Sequence, residues 1–275
     1  GLGQNRVGDR LMRAAEVNSV VLHYTLDGPA EGPFVVFSNS IGTDFRIWDR
    51  VVPLLAPRYR LLRYDSRGHG LSSAPPGPYT IDDHVGDLLG LLNRLDISRA
   101  AMVGLSVGGL IAQGAAAARP ALFQGLVLCD TAPRIGSLEM WRQRMDAIEA
   151  QGLAGIADAI MERWFSKTFR GAHPEELSAW RAMLTRTPQE GYLGTCAALR
   201  DTDLSDSTAQ LRLPTLWLCG SEDGATPPEL VRAGANSLAN SQFALIDGAG
   251  HLPCIEEPEA VTEEILAFLK DIKYF

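Results

Sequence analysis

Gly104-Leu-Ser-Val-Gly108 is the stretch from which the organisation of this chain can be worked out. A serine in such a pentapeptide lies on a sharp turn between a strand and a helix, and the flanking glycines let neighbouring backbones pass closely. The flanks fit, because a short apolar run (residues 99–103) precedes the pentapeptide and a run of small residues (109–118) follows it. We therefore predict that Ser106 is held on a strained turn and can act as a nucleophile.

The composition limits the size and class of the protein. A chain of 275 residues, 46% hydrophobic and 21% charged, is long enough for one large domain with an insertion. The net charge of -8 would repel nucleic acid and anionic membranes, so we expect neither as a partner. No apolar run reaches the roughly 18 residues of a spanning helix, and residues 1–10 contain no signal-peptide core. We expect a cytoplasmic protein, and the sequence leaves open whether it is a monomer or a homo-oligomer.

The cysteines give no sign of a metal or disulfide framework. They lie far apart, without a C-x-x-C pair or a histidine at metal-ligand spacing. We expect reduced core residues, no metal and no cofactor; the four cysteines are Cys129, Cys196, Cys219 and Cys254.

Strand and helix patterns alternate along most of the chain, which predicts an α/β fold with a largely parallel sheet. Residues 16–25 have the alternating, β-branched pattern of a strand. This pattern ends at Asp27-Gly28-Pro29, as in an edge hairpin. Helices are predicted over residues 47–55, 81–95, 109–118, 229–238 and 259–270, and the remaining strands over 34–37, 59–64, 99–103, 125–129, 214–219 and 242–246.

The alternation stops in one region, where only helical segments follow one another. These segments cover residues 141–150, 155–165, 175–185 and 190–199. An insertion at this point would lie over the carboxyl ends of the strands, where α/β folds bind ligands. We predict a core domain formed by residues 14–134 and 211–275 and a helical cap formed by 135–210. Trp141 and Trp164 are candidates to line the substrate pocket, although such aromatics also form the core of a cap.

A serine hydroxyl needs a base within hydrogen-bond reach, and the base needs an orienting carboxylate. His251 follows Gly-Ala-Gly on the loop after the last strand, and Asp223 lies on the loop after the strand before it. The order Ser106, Asp223, His251 is the one expected for a nucleophile on this kind of turn. His69 precedes the serine and breaks that order, so we interpret it as a loop residue.

The identity of the acid stays open at this stage. Asp130 ends the strand next to the pentapeptide and is the serious competitor of Asp223. Glu222 and Asp247 are further rivals, but Asp247 is too close in sequence to the histidine to reach its far nitrogen easily.

Backbone N–H groups must stabilise the negative oxygen that forms when such a serine attacks a carbonyl. The loop after the strand at 34–37 supplies one donor in this architecture, and the residue after the nucleophile supplies the other. We assign these donors to Ile41 and Val107.

Several motifs together carry a resemblance to a known family. The general motifs are Asp65-x-Arg-Gly-His-Gly-x-Ser72 and Asp247-Gly-Ala-Gly-His251; the narrower ones are Ser38-Asn-Ser-Ile-Gly-Thr-Asp44, Asp130-Thr-Ala-Pro-Arg-Ile-Gly-Ser137 with Trp141, Arg163-Trp-Phe165 and Glu190-Gly-Tyr192. With the general motifs the chain resembles the α/β-hydrolases with a helical cap, and with the narrower ones it resembles the 3-oxoadipate enol-lactonases, over residues 16–270. Val107 departs from the methionine that is common at its position in that family.

The resemblance implies a mostly parallel eight-stranded sheet and a serine hydrolase without a cofactor. Its small-molecule substrate would be 3-oxoadipate enol-lactone, opened to 3-oxoadipate through an acyl-enzyme during the breakdown of aromatic compounds by the protocatechuate and catechol route. The substrate carboxylate would need a cationic partner in an enclosed pocket. Arg134 is our first candidate, and an ion pair between cap and core is the alternative role for this residue.

Other functions remain compatible with the same residues. A carboxylesterase or another lactonase would use the same triad on a neutral small ester, and a perhydrolase or a carbon–carbon bond hydrolase would also use a Ser-His-Asp set. A ligand receptor built on the same scaffold is disfavoured, because the complete set of catalytic residues would serve no purpose in it.

Overall fold

A single eight-stranded sheet forms the centre of the part of the chain that the computed structural model describes, residues 11–275. Residues 1–10, for which the sequence predicts no signal peptide, lie outside the described residues. The strands are β1 (Arg13–Val17), β2 (Val20–Asp27), β3 (Phe34–Ser38), β4 (Arg60–Tyr64), β5 (Ala100–Leu105), β6 (Phe123–Cys129), β7 (Thr215–Gly220) and β8 (Ser241–Ile246).

The sheet has the order β1-β2-β4-β3-β5-β6-β7-β8. All pairs from β4 to β8 are parallel, and only β2 runs antiparallel to its neighbours β1 and β4. The predicted fold class, a mostly parallel eight-stranded sheet, is confirmed.

The amino-terminal hairpin differs from the prediction. The sequence pattern places the break of an edge hairpin after residue 26, whereas the chain already turns back at Asn18 and Ser19, between β1 and β2. Both turn residues have a positive φ, 51° and 66°, as a two-residue turn that matches the twist of a hairpin requires. The alternating pattern runs through the turn, so it does not reveal where the chain reverses.

Helices cover both faces of the sheet, and most of them begin or end within a few residues of the predicted positions. They are α1 (Val52–Leu55), α2 (Ile81–Arg94), α3 (Val107–Ala118), α4 (Leu138–Trp164), α5 (Lys167–Ala172), α6 (Pro174–Thr185), α7 (Gln189–Asp201), α8 (Ser205–Thr208), α9 (Pro228–Asn236), α10 (Pro253–Glu256) and α11 (Pro258–Asp271).

The predicted helix over residues 47–55 is wrong as one element. A 3-10 turn covers Phe45–Trp48, and the short α1 follows it. Pro53 lacks the N–H that would bond to the preceding turn, and its ring restricts the residue before it, so a continuous helix cannot pass through this position.

Five helices, α4 to α8, lie between β6 and β7 and form the helical insertion (residues 138–208). Gly152 breaks α4 with a φ of 71°, which agrees with two predicted segments in place of one long helix. α4 packs against α6 and α7. The boundaries at 135 and 210, which divide core from cap, stay a prediction.

Alternation along the central strands creates a core on each face of the sheet. Val35 and Phe37 of β3 pack in one cluster with residues of the helical insertion, and Val36 packs in the other. The four cysteines are buried and free, as the sequence predicts. No helix within residues 11–275 has the length and apolar character needed to cross a bilayer. The parallel strands β5 to β8 end at one edge, which brings their loops together.

Candidate active site

Ser106 lies between β5 and α3, with a left-handed φ of 58° and a ψ of -117°. A non-glycine residue in this region is strained, and the neighbouring structure must hold it there. A Cβ at Gly104 would lie 2.2 Å from the carbonyl oxygen of Gly108, and a Cβ at Gly108 would lie 2.2 Å from that of Ser38. The Thr131 hydroxyl donates a hydrogen bond of 2.7 Å to the Ser106 carbonyl. The pentapeptide therefore forms the tight turn that the sequence predicts.

Gly108→Ala is expected to lower the free energy of unfolding by about 1–3 kcal/mol or more, because the added methyl overlaps a backbone oxygen of the central strand β3. Urea unfolding would measure this change. Gly171→Ala in α5 is the matched control, because its methyl would meet no atom within 4 Å and alanine favours helices. Equal midpoints for the two variants would contradict the close approach described above.

Asp223 and His251 meet at the ends of β7 and β8. His251 Nδ1 lies 2.8 Å from Asp223 Oδ2, and both side chains are buried. An ionised carboxylate can only accept, so Nδ1 carries the hydrogen and Nε2 is left as the basic nitrogen. The backbone N–H of His251 donates to the Trp164 carbonyl at 2.9 Å, which ties the histidine loop to the end of α4.

The Asp223 carboxylate is held in place by its own loop. Its Oδ1 accepts from the N–H groups of Ala225 and Thr226 at 2.7 and 2.8 Å, and its Oδ2 accepts from the Thr226 hydroxyl at 2.7 Å. Burial alone would raise its pKa, but the charge and hydrogen bond of His251, together with the other donors, lower the pKa of Asp223 to about 2. This residue is therefore ionised near neutral pH and can stabilise a protonated histidine.

Asp130, the competing acid, follows β6 and contacts Asp223 instead of the histidine. Its Oδ2 accepts from the Gly220 N–H at 3.0 Å. No N–H or O–H group of the described residues donates to its Oδ1. Burial, and then the negative charge of Asp223, raise the pKa of Asp130 well above its usual range. A protonated Asp130 can donate to Asp223, so the pair holds one negative charge.

Asp130, Cys219 and Asp223 offer three potential metal-ligand atoms within 4.8 Å of one another. These donors do not fit a cation, because Asp223 Oδ2 is already shared by the histidine and the threonine. The Cys219 thiol donates to carbonyl oxygens of Gly220 and Thr226, and burial raises its pKa. A protonated thiol and a protonated carboxyl are poor ligands.

Ser106 and His251 line the same cavity, which has a volume of about 230 Å³ and lies beneath the helical insertion. Ile41, a predicted oxyanion donor, and Trp141 and Trp164, two candidate pocket residues, also line it. The Trp141 indole donates to the Ile135 carbonyl at 2.7 Å, so its ring has a fixed position in the wall.

Of the two predicted oxyanion donors, Ile41 lines this cavity and Val107 directly follows Ser106, which lines it as well. Val107 is the first residue of α3, and an N–H at that position has no partner within its helix. Ile41 follows β3 and its N–H donates to no backbone oxygen of residues 11–275. Both residues are buried. Two N–H groups that donate to no backbone oxygen of residues 11–275 are suited to a site for a negative oxygen.

Arg134 does not line the cavity. Its side chain is 51% exposed, and Nη1 lies 3.8 Å from Oδ2 of Asp203, which belongs to the helical insertion. This geometry corresponds to the second interpretation of Arg134, an ion pair between the core and the predicted cap. The expectation that Arg134 faces the substrate carboxylate does not agree with its position.

Two other arginines, neither of which is predicted from the sequence to bind the substrate, line the cavity. Arg144 lies one helical turn after Trp141 and packs over its ring at 4.7 Å, and Arg163 directly precedes Trp164. Neither forms an ion pair with a carboxylate of the described residues. Burial, and then the positive charge of Arg144, lower the pKa of Arg163. The i, i+3 spacing from a predicted pocket tryptophan is the signal that could identify Arg144.

The family model for the α/β hydrolase fold matches residues 33–258, which is most of the chain. This chain belongs to the α/β-hydrolase family. The turn at Ser106, the Asp223–His251 pair and the strand order of this α/β-hydrolase agree with that membership.

Curated relatives and solved structures place this α/β-hydrolase near known esterases and lactonases. It is 34% identical over 252 residues to 3-oxoadipate enol-lactonase 1 of Acinetobacter baylyi, covering 92% of this chain and 94% of that protein. The enol-lactonase structure from Burkholderia xenovorans LB400 has a TM-score of 0.91 and 38% identity, covering 94% of this chain and all of the other. The structure of a thermophilic esterase from Thermogutta terrifontis has a TM-score of 0.88 and 30% identity, covering 95% of this chain and 99% of the esterase. These similarities support a hydrolase of lactone-like esters with a small-molecule substrate.

Proposed function

We propose that this chain hydrolyses 3-oxoadipate enol-lactone to 3-oxoadipate, a step in the breakdown of aromatic compounds by the β-ketoadipate pathway. The observation that carries the proposal is the lining of one small cavity. It combines Ser106 and His251 with Arg144 and Arg163, which form no ion pair with a carboxylate of residues 11–275. Such a cavity suits an ester that also carries a negative charge. The identity to two enol-lactonases of Acinetobacter baylyi supports the same substrate.

In the first half of the reaction, Ser106 Oγ attacks the lactone carbonyl carbon while His251 Nε2 takes the hydroxyl proton. The carbonyl oxygen becomes negative and accepts hydrogen bonds from the N–H groups of Ile41 and Val107. Asp223 stabilises the protonated histidine. The bond between the carbonyl carbon and the ring oxygen then breaks, and the leaving oxygen takes the proton from His251 Nε2. The resulting enol tautomerises to the ketone, and the histidine is neutral again. No fragment is released, because the acyl group and the ketone belong to one molecule.

In the second half, His251 removes a proton from water, and the hydroxide attacks the acyl-enzyme. The second tetrahedral intermediate uses the same N–H donors, and its collapse returns the proton to Ser106 Oγ. We propose that residues 135–210 act as a cap in both halves, because the α4 residues of this segment form one wall of the cavity and would limit the access of water.

Arg144 and Arg163 are proposed to bind the substrate carboxylate in place of Arg134. A guanidinium offers paired N–H donors that match a carboxylate. A bound anion also offsets the electrostatic repulsion between two neighbouring cations. Arg144 is half-buried against Trp141, so the tryptophan holds it at the cavity wall. The exposed Arg163 would complete the site at its mouth.

Arg144→Met is expected to raise KM for the enol-lactone about 10- to 100-fold, which corresponds to the loss of one charged hydrogen bond. The KM for the methyl ester of the same lactone is expected to change little, because that substrate has no negative charge. Steady-state kinetics on both substrates would measure this difference. Arg134→Met is the matched control and is expected to leave both values unchanged. A larger effect of Arg134→Met than of Arg144→Met would contradict this assignment.

The purified protein is expected to convert the enol-lactone to 3-oxoadipate. Chromatography of the reaction mixture would measure this product. A carboxylesterase acting on neutral esters is the second candidate, and the similarity to the Thermogutta terrifontis esterase favours it. Turnover of p-nitrophenyl acetate without turnover of the enol-lactone would support this candidate and overturn the first.

A further inference from the structure

Ser40 has a buried hydroxyl without a hydrogen-bond partner at the wall of the active-site cavity. The residue is 3% exposed, and no described residue bonds to its Oγ. It lines the same cavity as Ser106 and His251, and it directly precedes Ile41. A buried hydroxyl without a partner destabilises a protein, so such a group calls for a functional explanation.

The loop around Ser40 is held rigidly by its other polar side chains. The Asn39 amide donates to the Tyr64 carbonyl at 2.9 Å, and its oxygen accepts from the Trp48 indole at 2.7 Å. The Thr43 hydroxyl donates to the Ser40 carbonyl at 2.7 Å. The loop therefore satisfies its neighbouring groups while leaving one hydroxyl free. A hydroxyl on a rigid loop at the cavity wall is suited to stabilise a charge that appears only during the reaction.

We propose that the Ser40 hydroxyl donates a third hydrogen bond to the negative oxygen of the tetrahedral intermediate, beside the N–H groups of Ile41 and Val107. The proposal rests on the ester chemistry at Ser106 described above, but it does not depend on which ester is the substrate. The hydroxyl can rotate, so it can point at the oxygen when that oxygen becomes negative and turn away at other stages.

Ser40→Ala separates this role from a structural one. If the hydroxyl serves the intermediate, its removal lowers kcat by about 100-fold for the enol-lactone and for p-nitrophenyl acetate, with little change in KM. The melting temperature is expected to stay the same or to rise, because the alanine removes a buried polar group without a partner. A loss of activity combined with unchanged or higher stability is a result that a structural role would not produce.

Ser66→Ala is the matched control. Ser66 is also buried with an unpartnered hydroxyl, but it follows β4 and does not line the active-site cavity. The kcat of Ser66→Ala is expected to equal that of the wild type. Its melting temperature is expected to change as that of Ser40→Ala does.

The two substrates distinguish the failure of this proposal from the failure of the proposed function. Turnover of p-nitrophenyl acetate alone would overturn the enol-lactonase function, and Ser40→Ala would still be tested on that ester. A kcat of Ser40→Ala within about two-fold of the wild type, or a change confined to KM, would overturn the role of Ser40. A wild type that hydrolyses neither ester would overturn both.

Discussion

Ser106→Ala is expected to lower kcat for the enol-lactone on the order of 10⁶-fold, because the variant can form no acyl-enzyme. The expected effect is large because the histidine and the aspartate act only through the serine hydroxyl. Some catalysis over the uncatalysed reaction is expected to remain, since the oxyanion donors and the cavity are unchanged. Progress curves at high enzyme concentration would measure the residual rate.

The fold of the Ser106→Ala variant must be intact for this loss to be informative. Ser106 is held by the glycines around it and by its backbone bonds, so the variant is expected to unfold at nearly the same temperature and to bind 3-oxoadipate as the wild type does. A kcat within about ten-fold of the wild type would show that the hydrolysis does not proceed through this serine.

Asp223→Asn is expected to lower kcat by about 10⁴-fold near neutral pH. The asparagine keeps the shape of the side chain, but its NH₂ group would face His251 Nδ1 and force that nitrogen to accept. The hydrogen of the imidazole would then lie on Nε2, which could no longer take the proton from Ser106. Steady-state kinetics across a pH series, with thermal unfolding to verify the fold, would measure this effect.

Asp130→Asn is the matched control for the Asp223 variant. Its amide could still accept from the Gly220 N–H and donate to Asp223, as the protonated carboxyl does, so kcat is expected to stay within about ten-fold of the wild type. A loss of about 10⁴ in Asp130→Asn, with Asp223→Asn little affected, would assign the catalytic acid to Asp130 instead.

The positions of the main elements could be predicted because most of them depend on local patterns. The apolar strands and the helices after them follow from periodicity, and the order Ser106, Asp223, His251 follows from the loops at the ends of β5, β7 and β8. The choice between Asp223 and Asp130 could not be made in this way. Both carboxylates end neighbouring strands, and only the distance to the histidine separates them.

The residues that face the substrate were less predictable, because they depend on how helices far apart in the chain pack together. Arg134 follows β6 and directly precedes Ile135, which lines the cavity. Its own side chain nevertheless lies beside Asp203 at the surface. Arg144 and Arg163 lie on one long helix and reach the cavity because α4 bends at Gly152. The spacing of residues along the sequence does not show in which direction α4 bends.

The most direct test of the proposed function compares the enol-lactone with its methyl ester, in which a neutral ester group replaces the carboxylate. The account predicts that kcat/KM is about 10- to 100-fold higher for the charged lactone, and that Arg144→Met removes this preference. Equal kcat/KM values for the two substrates in the wild type would contradict a site built for a carboxylate and would favour an esterase for neutral substrates.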